Sequence, residues 1–277
     1  MNVSPDQIRK LSGIRHVALD MDGTIYLGNE ILKETIPFLN RLKELGIGHT
    51  FLTNNSSKSS AEYAKHLTDW GIPTAQESVF TSAHALIELL AVSPHNRLFV
   101  AGTSGLRREL AVAEFDVLPS DSDLQPDAVI IGFDPRLDFP NLCKAAYWVK
   151  EGLPYFATHP DKTCPTNGKT ILLDCGALCV AIESATGRMP DAVAGKPAPQ
   201  MLHSLCRQLG LKSHEVAMVG DRLYTDVLMA VRAGALGILT LTGETQHSHL
   251  ADSKIQPDLV INNLATLEEL LTASKNI

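Results

Sequence analysis

The sequence has few features of a secreted, membrane-spanning or nucleic-acid-binding protein. Its five cysteines include no CxxC pair, and an odd number cannot all pair within one chain, so we expect reduced thiols and a cytoplasmic location. No apolar run reaches the length of about 18 residues that suggests a membrane span, and residues 1–15 are too polar for the core of a signal peptide. A net charge of −7 disfavours a nucleic-acid partner.

The 277 residues are 44% hydrophobic, which is enough for a buried core and one or two domains. Short apolar runs alternate with helical patterns over the whole chain, which predicts an α/β protein with parallel sheets. We predict a hairpin around Gly28-Asn29 and a helix capped by Thr35 that buries one apolar stripe of Ile36, Leu39, Leu42 and Leu45. The apolar patterns also predict strands at 47–52, 79–80, 98–102, 128–132, 155–157, 215–219, 235–242 and 258–261. They predict helices at 60–70, 142–151, 172–186, 199–209, 225–233 and 265–273.

Two aspartates follow the first apolar run, at the point where a predicted strand leaves its sheet. Asp20 and Asp22 are two residues apart, so on an extended chain their side chains share a face. Two carboxylates this close repel each other, which favours a bound cation or a proton held on one of them. A solvated Asp-Gly turn is the simpler alternative, and the motif alone does not exclude it.

Three further polar groups follow predicted strands or turns. Each has a structural alternative: Thr53 as a helix cap, Lys196 as part of a surface turn, and Asp221 as an N-cap. Taken together with the two aspartates, they supply what phosphoryl transfer needs. A carboxylate can attack phosphorus, a second carboxyl can move protons, a divalent cation can neutralise anionic oxygens, and a hydroxyl, a backbone amide and an ammonium can hold the phosphoryl group.

The spacing of these groups indicates an inserted unit. Lys196 follows Thr53 by 143 residues, whereas Asp221 follows Lys196 by only 25. Within the long gap the strand–helix alternation restarts without acidic strand ends. We therefore predict a separate α/β domain at residues 83–190 and a core domain formed by residues 1–82 and 191–277.

The order of these motifs resembles the haloacid dehalogenase-like (HAD) superfamily, and within it the NagD and 4-nitrophenylphosphatase type of branch. The resemblance covers nearly the whole chain, and it implies a Rossmann-like core with a parallel sheet and a large inserted α/β cap. The residues that carry it are Asp20-Met21-Asp22-Gly23-Thr24, Thr53-Asn54-Asn55, Gly195-Lys196-Pro197, Gly220-Asp221-Arg222-Leu223-Tyr224-Thr225-Asp226, Ala157-Thr158-His159-Pro160-Asp161 and Ala185-Thr186-Gly187-Arg188.

The resemblance also implies roles for individual residues. Asp20 would be the nucleophile and Asp22 the general acid and base. Mg²⁺ would be held by the carboxylates of Asp20 and Asp221 and the backbone carbonyl of Asp22. Asp226 would orient a metal-bound water or Lys196. The phosphoryl group would be bound by Thr53, Asn54, Asn55 and Lys196.

The implied activity is hydrolysis of a small phosphorylated metabolite, with Mg²⁺ as cofactor and a homodimer as a possible assembly. His159 departs from the pattern, because relatives often have Asn there, so contacts to the leaving group are open. Candidates for such contacts are Thr158, His159, Asp161 and the turn Leu173-Asp174-Cys175-Gly176. Two alternatives use the same fold: a phosphotransferase or mutase, and a binding module without catalysis.

Overall fold

The computed structural model describes residues 3–164 and 169–275 and shows the predicted α/β fold. The strands are β1 His16–Leu19, β2 Tyr26–Leu27, β3 Glu30–Ile31, β4 Gly48–Thr53, β5 Val79–Thr81, β6 Arg97–Ala101, β7 Asp116–Val117, β8 Ala128–Ile131, β9 Tyr155–Ala157, β10 Thr163–Cys164, β11 Leu172–Leu173, β12 Ala192–Val193, β13 Val216–Gly220, β14 Leu236–Thr240 and β15 Leu259–Ile261. The α-helices are α1 Pro5–Ser12, α2 Thr35–Glu44, α3 Ser60–Asp69, α4 Ser82–Ala91, α5 Ser104–Val112, α6 Phe139–Lys150, α7 Cys175–Thr186, α8 Gln200–Leu209, α9 Leu228–Ala233, α10 His247–Ala251 and α11 Leu264–Lys275.

The chain packs into two compact units. The first contains Met1–Leu52, Leu67–Val79 and Pro197–Ile277, and the second contains Thr53–His66 and Phe80–Lys196. Relative to the predicted boundaries, residues 53–66, 80–82 and 191–196 pack with the second unit. One reason is that the start of α3 bonds to α5: the backbone N–H and the hydroxyl of Ser60 both donate to Glu109, at 2.6 and 3.0 Å.

The first unit is built on a six-stranded sheet with the order β15-β14-β13-β1-β4-β5. β1 pairs in parallel with both β13 and β4, and the register places Leu19 opposite Val219 and Phe51. All four residues of β1 are buried, as expected for a central strand covered on both faces. The carboxyl ends of β1 and β13 therefore lie side by side at one edge of the sheet.

The second unit has a five-stranded sheet with the order β12-β9-β8-β6-β7. Its recorded pairs are parallel, and its core lies where α6 and α7 contribute apolar side chains against β6, β8 and β9. Buried members of that core include Phe99, Val129, Ile131, Ala145 and Tyr155. A short antiparallel ribbon of β10 and β11 accompanies this sheet.

Several predicted elements need correction at their starts. Residues 172–173 form a strand, and the helix predicted from 172 begins at Cys175, because Asp174 accepts from the Cys175 backbone N–H. The helix predicted over 225–233 starts as a π-helical turn, Leu223–Val227, before α9. No sequence pattern described above predicts α1, which is stabilised by a capping box between Ser4 and Gln7.

The predicted hairpin is confirmed, because Tyr26 pairs with Ile31 across Gly28-Asn29. The cap predicted for the next helix is wrong. The N-cap of α2 is Glu34, and the hydroxyl of Thr35 instead donates to the Ile25 carbonyl at 2.7 Å. The apolar stripe is also shifted: Ile36 is 40% exposed, whereas the helix buries Thr35, Phe38, Leu39 and Leu42.

Thr35→Val should destabilise the protein. Thr35 is fully buried, and an isosteric valine removes one of the two donors to the Ile25 carbonyl, which keeps the Leu32 backbone N–H at 3.1 Å. The expected cost is that of one hydrogen bond, about 0.5–1.5 kcal/mol in the free energy of unfolding. Thr35→Ser keeps the hydroxyl and is the matched control. Urea unfolding measures both, and equal stability of the two variants would show that this hydrogen bond contributes nothing.

Candidate active site

Three acidic side chains meet in the first unit where β1 and β13 end. Asp20, Asp221 and Asp226 each offer a carboxylate oxygen, and these oxygens lie within 4.8 Å of one another. Asp20 is half-buried, whereas Asp221 and Asp226 are buried. The cluster follows directly from the sheet, since the Asp20 backbone N–H donates to the Val219 carbonyl at 2.8 Å and continues the pairing of the two strands.

Local hydrogen bonds hold the cluster in place. The Thr24 hydroxyl donates to Asp20 Oδ2 at 3.4 Å, and the Arg222 backbone N–H donates to Asp226 Oδ2 at 3.1 Å. The turn after β1 passes close to the second strand: Gly23 has φ +86°, and a Cβ at this position would lie 2.5 Å from Asp221 Oδ2. This approach explains why glycine follows the two aspartates.

Burial and mutual repulsion shift the acidity of these groups. Burial, together with the nearby charges of Asp20 and Asp226, raises the pKa of Asp221 to about 8, against the lowering effects of the Glu244 backbone N–H and Arg222. Burial also raises the pKa of Asp22, against the lowering effects of the Gly28 backbone N–H and Arg222. A carboxyl with a raised pKa holds its proton more readily near neutral pH, as a general acid requires.

The donor set of the cluster fits a divalent cation. Among the described residues, Asp221 Oδ1 is buried and has no hydrogen-bond partner, while Asp221 Oδ2 accepts from the Glu244 backbone N–H at 2.6 Å. A buried carboxylate oxygen without a donor needs a cation or a proton. Oxygen ligands are those that Mg²⁺ prefers.

The remaining predicted site residues belong to the second unit. Thr53, Asn54 and Lys196 are buried. The Asn54 side chain bonds to the backbone of Lys196 and to Asp161. The Asn55 backbone N–H donates to Thr53 Oγ1 at 3.1 Å. The structure therefore brings Asn54 and Lys196 together within this unit, and convergence of Lys196 on Asp20 stays a prediction.

The candidate cap residues form a buried polar chain. Thr158 Oγ1 lies 2.8 Å from His159 Nδ1, and His159 Nε2 lies 2.7 Å from Asp174 Oδ1. Burial lowers the pKa of His159, but the hydrogen bond and charge of Asp174, together with Cys175 and Asp161, outweigh it and raise the pKa to about 9. His159 is fully buried, so its ring serves this network.

None of the sequence motifs predicts the role of the loop after β14, which supports the acidic cluster. The Thr242 hydroxyl donates to the Gly23 carbonyl at 2.6 Å, and the Thr245 backbone N–H donates to the Asp221 carbonyl at 3.2 Å. The first of these bonds joins segments that are more than 200 residues apart, and the second uses only backbone groups. The only available sequence signal was that polar residues follow another strand of the same predicted sheet.

Comparison with known proteins agrees with this geometry. Residues 17–116 match the family model described as haloacid dehalogenase-like hydrolase, and residues 193–267 match a second HAD-hydrolase-like model. The chain is 30% identical over 255 residues to the ribonucleotide monophosphatase NagD of Escherichia coli, covering 92% of this chain and 98% of that protein.

Two solved structures are similar over most of the chain. The 4-nitrophenylphosphatase of Thermotoga maritima has a TM-score of 0.88 at 38% identity, covering 94% of this chain and 98% of that one. The glycerol phosphate phosphatase of Mycobacterium tuberculosis, solved with magnesium, has a TM-score of 0.86 at 29% identity, covering 94% and 78%.

The chain belongs to the haloacid dehalogenase-like hydrolases. Within that family its relatives place it in the NagD-like branch, which confirms the resemblance drawn from the motifs. In the described part of the chain, no helix is both long and apolar enough to cross a membrane.

Asp221→Asn should stabilise the protein without divalent ions. The folded state must either hold the Asp221 carboxyl charged beside like charges or bind a proton well above the usual range of Asp, and an amide requires neither. The variant should also lose most of the Mg²⁺-dependent rise in Tm, since that rise reflects a cation bound only by the folded state. Thermal melts in EDTA and in Mg²⁺ measure both effects. The exposed Asp252→Asn serves as control, and an unchanged Mg²⁺ response in Asp221→Asn would argue against a cation at this cluster.

The His159–Asp174 pair should make stability depend on pH. Because folding raises the pKa of His159 from 6.5 to about 9, the contribution of the pair is fully present below pH 6.5 and is lost as pH rises through about 9. His159→Asn should remove that dependence, and the exposed His247→Asn should keep it. Urea midpoints at several pH values between 6 and 9.5 test this, and parallel curves for wild type and His159→Asn would contradict it.

Proposed function

We propose that this protein is a Mg²⁺-dependent phosphatase that hydrolyses a small phosphorylated metabolite through an aspartyl-phosphate on Asp20. The observation that supports this most is the acidic cluster, with a buried carboxylate oxygen of Asp221 that lacks a donor among the described residues. The three compared relatives are named as phosphatases of nucleotides, 4-nitrophenyl phosphate and glycerol phosphate. Hydrolysis of phosphate monoesters is the activity common to them.

The proposed reaction uses two carboxyl groups in sequence. An Asp20 carboxylate oxygen attacks phosphorus, and the bond between phosphorus and the ester oxygen breaks as the neutral Asp22 carboxyl donates its proton to that oxygen. Asp22, now a carboxylate, takes a proton from the water that attacks the aspartyl-phosphate. Phosphate leaves, Asp20 returns as a carboxylate, and Asp22 again holds a proton.

The other predicted residues have supporting roles in this proposal. Mg²⁺ would be held by the Asp20 and Asp221 carboxylates and the Asp22 carbonyl, and it would neutralise charge on the phosphoryl oxygens. Asp226 would orient a metal-bound water or Lys196. The Thr53 hydroxyl, the backbone of Asn54 and Asn55 and the Lys196 ammonium would bind the phosphoryl oxygens.

The substrate, location and assembly complete the proposal. The substrate class is a small phosphate monoester, and kinetic constants over a panel of sugar phosphates, nucleoside monophosphates and other phosphorylated metabolites would rank its members. All five cysteines lie in the described part of the chain and none of them forms a disulfide there, which fits the predicted cytoplasmic location. The homodimer stays a prediction.

Asp22→Asn should separate the two chemical steps. 4-Nitrophenolate leaves without a proton, so the variant should release about one equivalent of 4-nitrophenol per enzyme and then stall, because no base activates water. With an alkyl phosphate both steps should slow, the first by roughly 10²–10⁴-fold. Rapid-mixing absorbance measures the burst.

Asp20→Asn is the control for that experiment, because without the nucleophile it should give no burst and no turnover. Circular dichroism and thermal melts verify that both variants are folded. Full activity of Asp20→Asn on 4-nitrophenyl phosphate in Mg²⁺ would overturn the mechanism.

A further inference from the structure

We propose that Asn54 is a positioning residue: its side chain fixes the backbone of Lys196 and so sets the direction in which the lysine side chain extends. This inference rests on the proposed function, in which the Lys196 ammonium binds the phosphoryl group. Asn54 then has two separate roles: its backbone binds the phosphoryl group, and its side chain positions Lys196.

The main observation is a two-bond contact between one side-chain amide and one residue's backbone. Asn54 Oδ1 accepts from the Lys196 backbone N–H at 2.7 Å, and Asn54 Nδ2 donates to the Lys196 carbonyl at 3.0 Å. These two groups belong to the peptide units on either side of the Lys196 Cα. Fixing both peptide units restricts φ and ψ of Lys196, and with them the direction of its Cα–Cβ bond.

The amide has no donor left for a substrate. A primary amide has two N–H groups, and in Asn54 one goes to the Lys196 carbonyl and the other to Asp161 Oδ2 at 3.1 Å. The orientation of the amide follows from these partners, because the oxygen faces an N–H and the nitrogen faces two acceptors. The side chain of Asn54 is therefore fully engaged within the protein.

Asn54 is itself held from behind, so it can act as a rigid support. The Ser82 hydroxyl donates to the Asn54 carbonyl at 2.5 Å. Asn54 is 6% exposed and Lys196 is 2% exposed, and water therefore competes little with these hydrogen bonds. A buried network of hydrogen bonds of this kind restricts the geometry of its members.

The residue before the lysine is fitted into the same contact. The Gly195 backbone N–H donates to the Thr158 carbonyl at 2.7 Å. A Cβ on Gly195 would lie 2.5 Å from Asn54 Oδ1 and 2.8 Å from the Thr158 carbonyl oxygen. Glycine is required here for close approach of the backbone, and Gly195→Ala offers a second way to disturb the lysine without touching its side chain.

A double-mutant cycle tests the inference. Asn54→Ala should lower kcat on 4-nitrophenyl phosphate by about 100-fold in the wild-type background, because small displacements of a group that contacts the transition state cost about this much. In the Lys196→Ala background the same change should lower kcat less than about twofold, since the group it positions is absent. Gly195→Ala should show the same pattern.

Binding of inorganic phosphate in Mg²⁺, measured by calorimetry, gives a second readout that needs no turnover. Asn54→Ala should weaken phosphate binding in the wild-type background and leave it unchanged when Lys196 is Ala. Ser60→Ala is the matched control, because it removes a buried hydroxyl that bonds to Glu109 in the same unit and should lower Tm while keeping kcat.

Each outcome has a distinct meaning. Asn54→Ala could instead lower kcat and weaken phosphate binding by the same factor in both backgrounds. That result would overturn the positioning role and indicate general loosening of the unit. If Asn54→Ala does not fold, Gly195→Ala decides by the same comparison. Wild-type protein that turns over no phosphate ester would instead count against the proposed function, while the phosphate-binding cycle still tests the contact.

Discussion

The repulsion among three clustered carboxylates, two of them buried and one half-buried, is the constraint on which the candidate site depends. Asp20, Asp221 and Asp226 are brought within 4.8 Å by the ends of two adjacent parallel strands. Desolvation alone penalises each charge, and the neighbours add to the penalty, as the pKa of Asp221 near 8 reflects. A fold that keeps such a cluster has given up stability at this point, and a bound cation is the natural compensation.

Close packing and hydrogen bonds hold the segments that carry these acidic residues in place. The first turn after β1 has room for only a glycine beside Asp221, and the loop after β14 supplies backbone and hydroxyl donors to the same region. The hairpin that follows Asp22 is tied to α2 through the buried Thr35. None of these groups needs to touch a substrate, yet together they determine where the carboxylates point.

In the second unit, hydrogen bonds hold the candidate site residues in place, and no cluster of like charges is involved in the contacts described here. Asn54 bonds to both backbone groups of Lys196, and the buried His159–Asp174 pair lies in the same loop region as Asp161. The partner of His159, the residue that departs from the motif pattern, is Asp174. A charged pair can be buried here because each member has a hydrogen-bonding partner of opposite sign.

Much of this protein was determined by local sequence. Apolar runs of four to six residues specified the buried strands, and turn chemistry specified the hairpin at Gly28-Asn29. Four short motifs in order were enough to identify the family and its fold. Tertiary structure alone decided that Thr35 bonds to Ile25 and caps no helix, that Asp174 starts α7, and that the Asn54 amide is used up by Lys196 and Asp161. The reason is physical: periodicity and propensity act over a few residues, whereas the partner of a buried polar group is whichever donor or acceptor the folded chain brings near it. For Asn54 that partner, Lys196, lies 142 residues away.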